Sequence, residues 1–184
     1  MLKFIALGLS LLLCQIQGKT SWGSCKPFNV VANFDASQYV GKWYEIYRDK
    51  DLPFEKDDTC VTATYGAISS NQISVLNYAV GSNGKAKSID GRATCQGAQC
   101  KVKFDWYIPK GSYNVVDTDY TNYAIVYSCT NFFFGLFKVQ YAWILGRSQT
   151  LATETTQIAS LGSIAPSYST DNLMKTTQGG SCFY

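Results

Sequence analysis

The side chains available for chemistry in this 184-residue chain are mainly phenols, indoles and thiols. The sequence contains 13 tyrosines, 4 tryptophans and 7 cysteines but no histidine. Without histidine, serine and cysteine nucleophiles lack their usual general base. The net charge of +3 is too small to indicate a nucleic-acid partner. This composition, with 15% aromatic residues, favours a binding protein over an enzyme.

A secretory signal is predicted at the start of the chain. Residues 1–18 contain one early lysine, continue as an apolar run from Phe4 to Leu13 and end at the small residue Gly18. This pattern is typical of a cleaved signal peptide, and the run is too short to span a bilayer. We therefore expect a secreted, extracellular protein in which residues 19–184 form a single domain.

The cysteine count predicts disulfides. Cys14 falls inside the predicted signal, and a lipoprotein anchor there is disfavoured because Leu13, the residue before it, is not small. The remaining cysteines are even in number, which in a secreted chain indicates three disulfides. They are Cys25, Cys60, Cys95, Cys100, Cys129 and Cys182. A metal site is disfavoured because neither a CxxC pair nor a histidine is present.

Alternation of apolar and polar residues with a period of two dominates the rest of the chain. The clearest example is KVKFDWYI, 101–108, in which one face is apolar. The residues of that face are Val102, Phe104, Trp106 and Ile108. Eight strands are predicted in all, and the last two, which are more uniformly apolar, are expected to be buried on both faces. They cover 41–48, 60–67, 72–80, 85–95, 101–108, 112–118, 122–129 and 139–147.

The predicted strands indicate an all-β fold. Short turns join them, so neighbours in sequence should pair, and an eight-stranded antiparallel up-and-down β-barrel would leave no exposed edge. Such a barrel has room for one small ligand. A sandwich of two sheets is the alternative. A single C-terminal α-helix, with Thr153 as N-cap and Gly162 as its stop, is expected to pack on the outside of the barrel.

Three short motifs resemble those of the lipocalins. They are GKWYEI at 41–46, TDY at 118–120, and Arg147 after the last strand. The whole pattern is most similar to the apolipoprotein D-like group, which includes insect bilin-binding proteins and crustacyanins. In a meander all three motifs fall at one end of the barrel, where Trp43 can fill the opening beneath Arg147. We assign a structural role to the motif residues Gly41, Trp43, Thr118, Asp119, Tyr120 and Arg147.

The same resemblance implies a set of ligand-lining residues. These are Tyr65, Asn77, Phe104 and Trp143, and the alternation pattern extends the set to Trp106, Tyr113 and Tyr141. Asn77 is the most informative, because an amide on an apolar face needs a partner. That partner is either the ligand or an internal group, such as a trapped water or Tyr65.

The resemblance also implies two disulfide pairs, Cys25–Cys129 and Cys60–Cys182. Cys95 and Cys100 remain, and they flank the short turn QGAQ, where a cross-strand disulfide is geometrically feasible. If these two cysteines were free, one could act as a nucleophile.

The segment NFFFGLF, 131–137, is unusually apolar for a connection between strands. One interpretation is a docking surface for a membrane, a lipoprotein or a second copy of the chain. The other is that the phenylalanines close the barrel mouth as a lid or extend the strands, and we prefer it because the mouths of apolar pockets are often closed in this way. The residues concerned are Phe132, Phe133, Phe134 and Phe137.

Three functional hypotheses follow. The first is a secreted carrier of one small hydrophobic ligand, for which the resemblance implies a fatty acid, a sterol, a carotenoid or a biliverdin-type pigment. No cofactor is required, although a carotenoid or biliverdin would be a bound chromophore. The second is a pigment-binding assembly of the crustacyanin type, formed through hydrophobic mouth loops. The third, which we disfavour, is a thiol-dependent lipocalin isomerase using Cys95 or Cys100.

Overall fold

A computed structural model of the protein describes residues 20–107 and 109–184. The predicted signal peptide, residues 1–18, and the predicted inward-facing Ile108 lie outside the described residues, so both remain predictions. Neither of the α-helices in the described ranges, which have 4 and 11 residues, is long and apolar enough to cross a membrane.

Strands make up most of the described chain. The bounds are β1 Thr20–Trp22, β2 Gly41–Asp49, β3 Thr59–Ser69, β4 Gln72–Val80, β5 Ala86–Gln96, β6 Gln99–Lys103, β7 Gly111–Thr118, β8 Tyr123–Phe132, β9 Phe137–Gly146 and β10 Leu173–Lys175. The helices are α1 Ala36–Tyr39 and α2 Glu154–Ile164. Residues 133–135 and 170–172 form short 3₁₀ turns.

Strands β2 to β9 form a closed antiparallel barrel, which confirms the predicted eight-stranded architecture and excludes the sandwich. Each strand pairs with its neighbour in sequence. The barrel closes where β2 pairs with β9, for example Tyr44 with Gly146 and Arg48 with Trp143. The short strands β1 and β10 add to β9 and β2, respectively.

The period-two pattern separates the interior of the barrel from its surface. In β4, Ile73 and Val75 are buried, whereas the alternating residues Ser74 and Leu76 are exposed. Strand β8 is different, because every residue from Ala124 to Tyr127 is at most 1% exposed. Its outer face is covered by α2, so this strand is buried on both faces, as its uniformly apolar sequence predicts.

Helix α2 packs on the outside of the barrel, which confirms the predicted placement. Its Leu161 packs in a cluster with Ile125 and Tyr127. The predicted stop at Gly162 is wrong, because the helix continues to Ile164 and the backbone of Ala165 still donates to the carbonyl of Leu161. The predicted N-cap, Thr153, precedes the helix but makes no capping hydrogen bond through its side chain.

Strand β6 ends at Lys103, five residues earlier than its alternation predicts. The cause is local. The Asp105 carboxylate accepts a hydrogen bond from the Trp106 backbone N–H at 2.6 Å, and Lys103 Nζ donates to the Trp106 carbonyl at 3.1 Å. These side chains satisfy backbone groups that the strand ladder would otherwise use, so the chain turns.

Trp43 and Arg147 close one end of the barrel. Trp43 is fully buried, and the guanidinium carbon of Arg147 lies 3.7 Å from the centre of its ring. Arg147 also donates hydrogen bonds to the carbonyls of Gln38, Lys42 and Tyr120. One side chain therefore connects three separate segments at this end.

Gly41 allows the Arg147 guanidinium to lie close to the backbone at the start of β2. Its φ of +96° lies in the left-handed region, and a Cβ there would sit 3.3 Å from Arg147 Nη1. A side chain at this position would therefore be strained and would crowd the guanidinium.

The turn Thr118–Asp119–Tyr120 supplies the Tyr120 carbonyl that accepts a hydrogen bond from Arg147. Thr118 Oγ1 accepts from the Tyr120 backbone N–H at 2.9 Å, which holds Tyr120 at a positive φ of 64°. The Asp119 carboxylate accepts from the backbone of Thr121, Asn122 and Tyr123. Partial burial opposes ionisation of Asp119, but these hydrogen bonds outweigh it and lower the pKa of the carboxyl group.

Three disulfides link the described cysteines: Cys25–Cys129, Cys60–Cys182 and Cys95–Cys100. These are the pairs that the resemblance and the QGAQ turn led us to expect. Cys95 and Cys100 face each other across the β5–β6 hairpin. The other two pairs join the segments before β2 and after β10 to the barrel wall.

The β8–β9 connection lies at the end of the barrel opposite Trp43. Phe132 and Phe137 extend the two strands and pair with each other. Phe133 and Phe134 occupy the 3₁₀ turn, where Phe133 is 58% exposed and Phe134 is fully exposed. The interpretation that these phenylalanines extend the strands therefore holds for the outer pair, whereas the tip of the turn points into solvent and is not a lid.

We expect Arg147→Lys to destabilise the fold by about 2 kcal/mol, because an ammonium cannot reach three carbonyls and cover the indole at once. Urea unfolding followed by tryptophan fluorescence would measure the change. Arg92→Lys, at an exposed position of β5, is the matched control and should leave the midpoint unchanged. Equal midpoints for the two variants would contradict this role of Arg147.

Candidate functional site

The barrel encloses an inner chamber of about 120 Å³ above Trp43. Its walls are mostly apolar, and they come from several strands of the barrel and from the loop between β2 and β3. The apolar lining includes Val61, Val75, Val102, Phe104, Trp143 and Leu145. The polar lining includes Glu45, Glu55, Tyr65, Asn77, Ser112 and Tyr113.

A second, outer chamber of about 480 Å³ lies towards the mouth. It shares wall residues with the inner chamber, so the two cavities adjoin. The shared residues are Phe54, Glu55, Val61, Asn77, Phe104 and Gly111. The inner chamber alone is smaller than the roughly 300–1,000 Å³ of typical ligand sites. A ligand of ordinary size would therefore extend through both.

Five of the seven predicted ligand-lining residues lie in the wall of the inner chamber. They are Tyr65, Asn77, Phe104, Tyr113 and Trp143. They come from β3, β4, the β6–β7 loop, β7 and β9, so the closed barrel brings together residues far apart in sequence.

Trp106 and Tyr141 are not among the residues that line either chamber. Trp106 is 85% exposed, because β6 ends at Lys103 and the alternation does not continue to this position. Tyr141 is half-buried next to Trp143, with ring centres 6.2 Å apart. Burial, followed by the charges of Asp49 and Asp51, raises the pKa of Tyr141 to about 12.

A buried ion pair between Glu45 and Arg48 lies beside the inner chamber, with Glu45 in its wall. Arg48 Nη1 donates to Glu45 Oε1 at 3.0 Å and to Thr176 Oγ1 at 3.1 Å, while Nη2 donates to the Asp58 carbonyl. Thr176 in turn donates to Glu45 at 2.6 Å. The guanidinium is thereby held by partners from three parts of the chain, and Glu45 also lines the chamber.

Sequence reasoning missed this pair for an identifiable reason. Simple alternation places residues 45 and 48 on opposite faces of β2. The pairing register of β2 with β9 shifts between Glu45 and Tyr47, so one extra residue is inserted there. This irregularity turns Glu45 and Arg48 to the same side.

Glu55 is a second acidic group in the wall, carried by the loop between β2 and β3. Its Oε2 atom is shielded from solvent and has no hydrogen-bond partner in the described chain. Burial, followed by the negative charge of Glu45, raises the pKa of Glu55 well above its usual range, although the positive charge of Arg48 opposes the shift. Because this residue sits in an irregular loop, no periodic pattern could have identified it.

Asn77 presents an unpaired oxygen to the same space. Its Oδ1 is buried without a partner among the described residues. The expected alternative, an internal hydrogen bond to Tyr65, is not formed, and the Tyr65 hydroxyl lies 2.8 Å from that of Tyr113 instead. Asn77 and Glu55 both border the two chambers, so polar contacts concentrate at their junction.

Comparison with known proteins identifies the architecture. The family described as lipocalin-like domain matches residues 34–178. The chain belongs to the lipocalin family. Apolipoprotein D of Macaca fascicularis is 41% identical over 137 residues, a match that covers 72% of this chain and 71% of the relative. The resemblance to apolipoprotein D inferred from the sequence is therefore confirmed.

Solved structures show the same lipocalin fold. Insecticyanin from the tobacco hornworm Manduca sexta superposes with a TM-score of 0.77 at 24% identity, covering 90% of this chain and 92% of insecticyanin. Lobster apocrustacyanin A1 superposes with a TM-score of 0.73 at 22% identity, covering 88% of this chain and 93% of apocrustacyanin. Lipocalins are a family of carriers for small hydrophobic ligands.

We expect Gly91→Ala to disturb the chamber wall of this lipocalin. A Cβ at Gly91 would lie 2.7 Å from a ring carbon of Phe104 and 2.9 Å from the Lys103 carbonyl, so Phe104 must move. The expected cost in unfolding free energy is about 1–3 kcal/mol, measured by urea denaturation. Gly111→Ala is the control, since a Cβ there meets nothing within 4 Å. A Gly91→Ala protein as stable as the control would show that Phe104 is not held by this contact.

Proposed function

We propose that the protein is an extracellular carrier that binds one small hydrophobic molecule inside the barrel. The observation that carries the proposal is the apolar chamber above the Trp43–Arg147 closure, which adjoins a wider outer chamber. Membership of the lipocalin family supports it.

The energetics of such binding follow from the lining. Transfer of apolar ligand surface out of water contributes roughly 25 cal/mol per Å². The few polar groups, chiefly Asn77, Glu55 and the tyrosine hydroxyls, would fix the orientation of the ligand rather than supply most of the affinity.

The candidate ligands remain a fatty acid, a sterol, a carotenoid or a biliverdin-type pigment. Structural similarity to insecticyanin and apocrustacyanin supports the pigment version at the level of fold only. An absorption spectrum of the native protein separates the coloured candidates from the colourless ones.

Secretion is supported by the covalent structure. Three disulfides among the described cysteines suit an oxidising compartment, because the cytosol keeps most protein thiols reduced. The predicted signal peptide also favours secretion.

An enzymatic role for Cys95 or Cys100 is disfavoured. Both sulfur atoms belong to one disulfide, and the other cysteines of the described ranges are also paired. A thiol-dependent isomerase would need a free thiolate inside the barrel.

Ala63→Phe should abolish ligand capture without unfolding the protein. Ala63 lines the inner chamber, and a benzyl group there would occupy space that the ligand needs. We expect affinity for the neutral dye Nile red, followed by its fluorescence, to fall at least tenfold. Ala159→Phe, on the exposed face of α2, is the control and should bind like the native protein. Equal binding by both variants would place the dye outside the chamber and contradict the carrier proposal.

Self-association through the mouth loops is a second candidate property. Apolar side chains are exposed at that end of the barrel, which is unusual for a monomer. They are Trp22, Phe133, Phe134 and Leu136. They suit the pigment-binding assembly hypothesis, in which paired barrels shield these side chains from water.

The double substitution Phe133→Asn and Phe134→Asn tests the assembly. Both residues have a positive φ, which asparagine tolerates, so the turn should be kept. We expect sedimentation equilibrium to show a shift from dimer to monomer. Phe183→Asn, at an exposed site after β10, should have no effect. An unchanged mass for the double variant would exclude this surface as the interface.

A further inference from the structure

The wall of the barrel contains a segment that does not belong to the eight-stranded meander. Strand β2 pairs directly with β3 only over its first four residues, from Gly41 opposite Tyr65 to Tyr44 opposite Thr62. Nearer the mouth, β2 pairs with β10 instead. Both partners use the same edge of β2, because β9 occupies the other edge over residues 44–48. Strands β2 and β3 therefore separate towards the mouth, and the C-terminal part of the chain lies between them.

Residues 173–178, which we call the strap, close the gap on both sides. On the β2 side, the Thr176 N–H donates to the Ile46 carbonyl at 2.9 Å. On the β3 side, the Thr177 carbonyl accepts from the Cys60 N–H at 2.9 Å. The strap thus takes the place of hydrogen bonds that two adjacent barrel strands would otherwise make with each other.

The Gln178 side chain joins β2 to β3 at the point where the two strands separate. Its Nε2 atom donates to the Glu45 carbonyl at 2.8 Å and to the Val61 carbonyl at 2.7 Å. Two carbonyls cannot bond to each other, so a donor between them is needed. A single amide therefore connects the strands where their own ladder ends.

The gap that the strap fills lies beside the inner chamber. Glu45 on β2, together with Val61 and Thr62 on β3, flanks the point of separation and also lines that chamber. No residue of the strap is among the described residues that line either chamber. Outward movement of the strap would therefore open the wall beside the inner chamber without removing a lining residue.

The strap is held mainly by polar contacts. In the described stretch 173–184, Thr176 is the one residue that is buried. Leu173 is half-buried, and Met174 is 37% exposed. Segments with few buried apolar contacts are the ones that open locally while the rest of a fold stays intact. The strap has this character, whereas the neighbouring barrel strands do not.

Anchors lie at both ends of the strap. Before it, the Tyr168 hydroxyl donates to the Asp49 carboxylate at 2.7 Å, and both residues are buried. After it, Cys182 forms a disulfide with Cys60 on β3. An opened strap would stay attached at both ends and could return to the same contacts. It can therefore act as a hinged flap rather than as a frayed terminus.

Opening of the strap would not leave a buried charge unpaired. The buried Arg48 guanidinium donates to Thr176 Oγ1 at 3.1 Å, and outward movement breaks this contact. Its bonds to Glu45 and to the Asp58 carbonyl involve no residue of the strap and would remain. Water entering the gap can replace the lost partner, so the large penalty for an isolated buried ion does not arise.

We propose that the strap is a movable part of the barrel wall, and that its outward movement between β2 and β3 gates the exchange of the guest between the inner chamber and solvent. This proposal rests on the carrier function proposed above. A gate alters how fast a guest enters and leaves, but it leaves the free-energy difference between the bound and free states unchanged. Both rate constants should therefore change together at constant affinity.

A disulfide staple between the strap and β2 tests the gate. Lys175 pairs with Tyr47, and the two side chains share a face, since the Lys175 ammonium lies 5.7 Å from the centre of the Tyr47 ring. In the variant Tyr47→Cys with Lys175→Cys, we expect Nile red to enter and leave about tenfold more slowly, with unchanged affinity. Stopped-flow fluorescence measures both rates, and mass spectrometry confirms the staple. Ser74→Cys with Arg92→Cys, an exposed pair across β4 and β5, is the matched control and should exchange the dye at the native rate.

Gln178→Met tests the opposite change without a crosslink. Methionine keeps the length of the side chain but donates neither hydrogen bond, so the strap should open more often. We expect both rate constants for Nile red to rise about three- to tenfold, the net value of a hydrogen bond. Gln96→Met, at the exposed end of β5, is the control and should leave both rates unchanged.

Hydrogen exchange of the unmodified protein guards against variants that fold poorly. The amide protons of Cys60 and Thr176 are both engaged in strap contacts, so a moving strap exposes them together. We expect both to exchange at similar rates, roughly a hundredfold faster than the amide of Ile125 in the middle of β8.

The possible failures are distinguishable. If the native protein does not bind Nile red, the carrier function itself is wrong. If the dye binds but the stapled protein exchanges it at the native rate, exchange occurs through the mouth and the gate is overturned. Protection of Cys60 and Thr176 equal to that of Ile125 would overturn the gate as well, and neither result would affect the carrier function.

Discussion

The contact between Arg147 and Trp43 is the constraint on which the rest of the structure depends. A barrel with an open interior must be sealed somewhere, and here a buried indole is covered by a guanidinium at 3.7 Å. The same cation holds carbonyls from α1, β2 and the β7–β8 turn through Gln38, Lys42 and Tyr120. With that end fixed, side chains higher in the barrel need not fill the interior completely.

The unfilled cavity above the Trp43–Arg147 closure is lined by polar atoms at a few positions. Most buried polar atoms in proteins have partners, and leaving one without a partner costs about 1–3 kcal/mol. Asn77 Oδ1 and Glu55 Oε2 are buried without a hydrogen-bond partner in the described chain, as is Gln157 Oε1 on α2. The first two atoms border the same cavity, which makes a guest molecule or ordered water their natural partner.

The sequence predicts most of this architecture because the barrel repeats a simple rule. Alternation places Tyr65, Asn77, Phe104 and Tyr113 on inward faces, and closure of the barrel brings them together. The alternation of inward and outward residues fails where a nearby side chain forms a hydrogen bond with backbone groups that would otherwise pair between strands. The Asp105 carboxylate accepts a hydrogen bond from the Trp106 backbone N–H, and the Trp106 indole, which we expected inside the barrel, lies on the surface.

Other parts of the site depend on features that no periodic pattern records. The register shift in β2 brings Glu45 beside Arg48, and an irregular loop carries Glu55 into the wall. Tyr39 lies on a helix of four residues before the first barrel strand, so its contact with Tyr113 could not be read from strand alternation. The electrostatic character of the chamber therefore emerges only from the three-dimensional structure.

The most direct test of the account is a crystal structure of the protein grown with the neutral dye Nile red. The account predicts continuous dye density from the outer chamber into the inner chamber. An inner chamber filled by the protein's own side chains, with the dye absent or bound elsewhere, would contradict it.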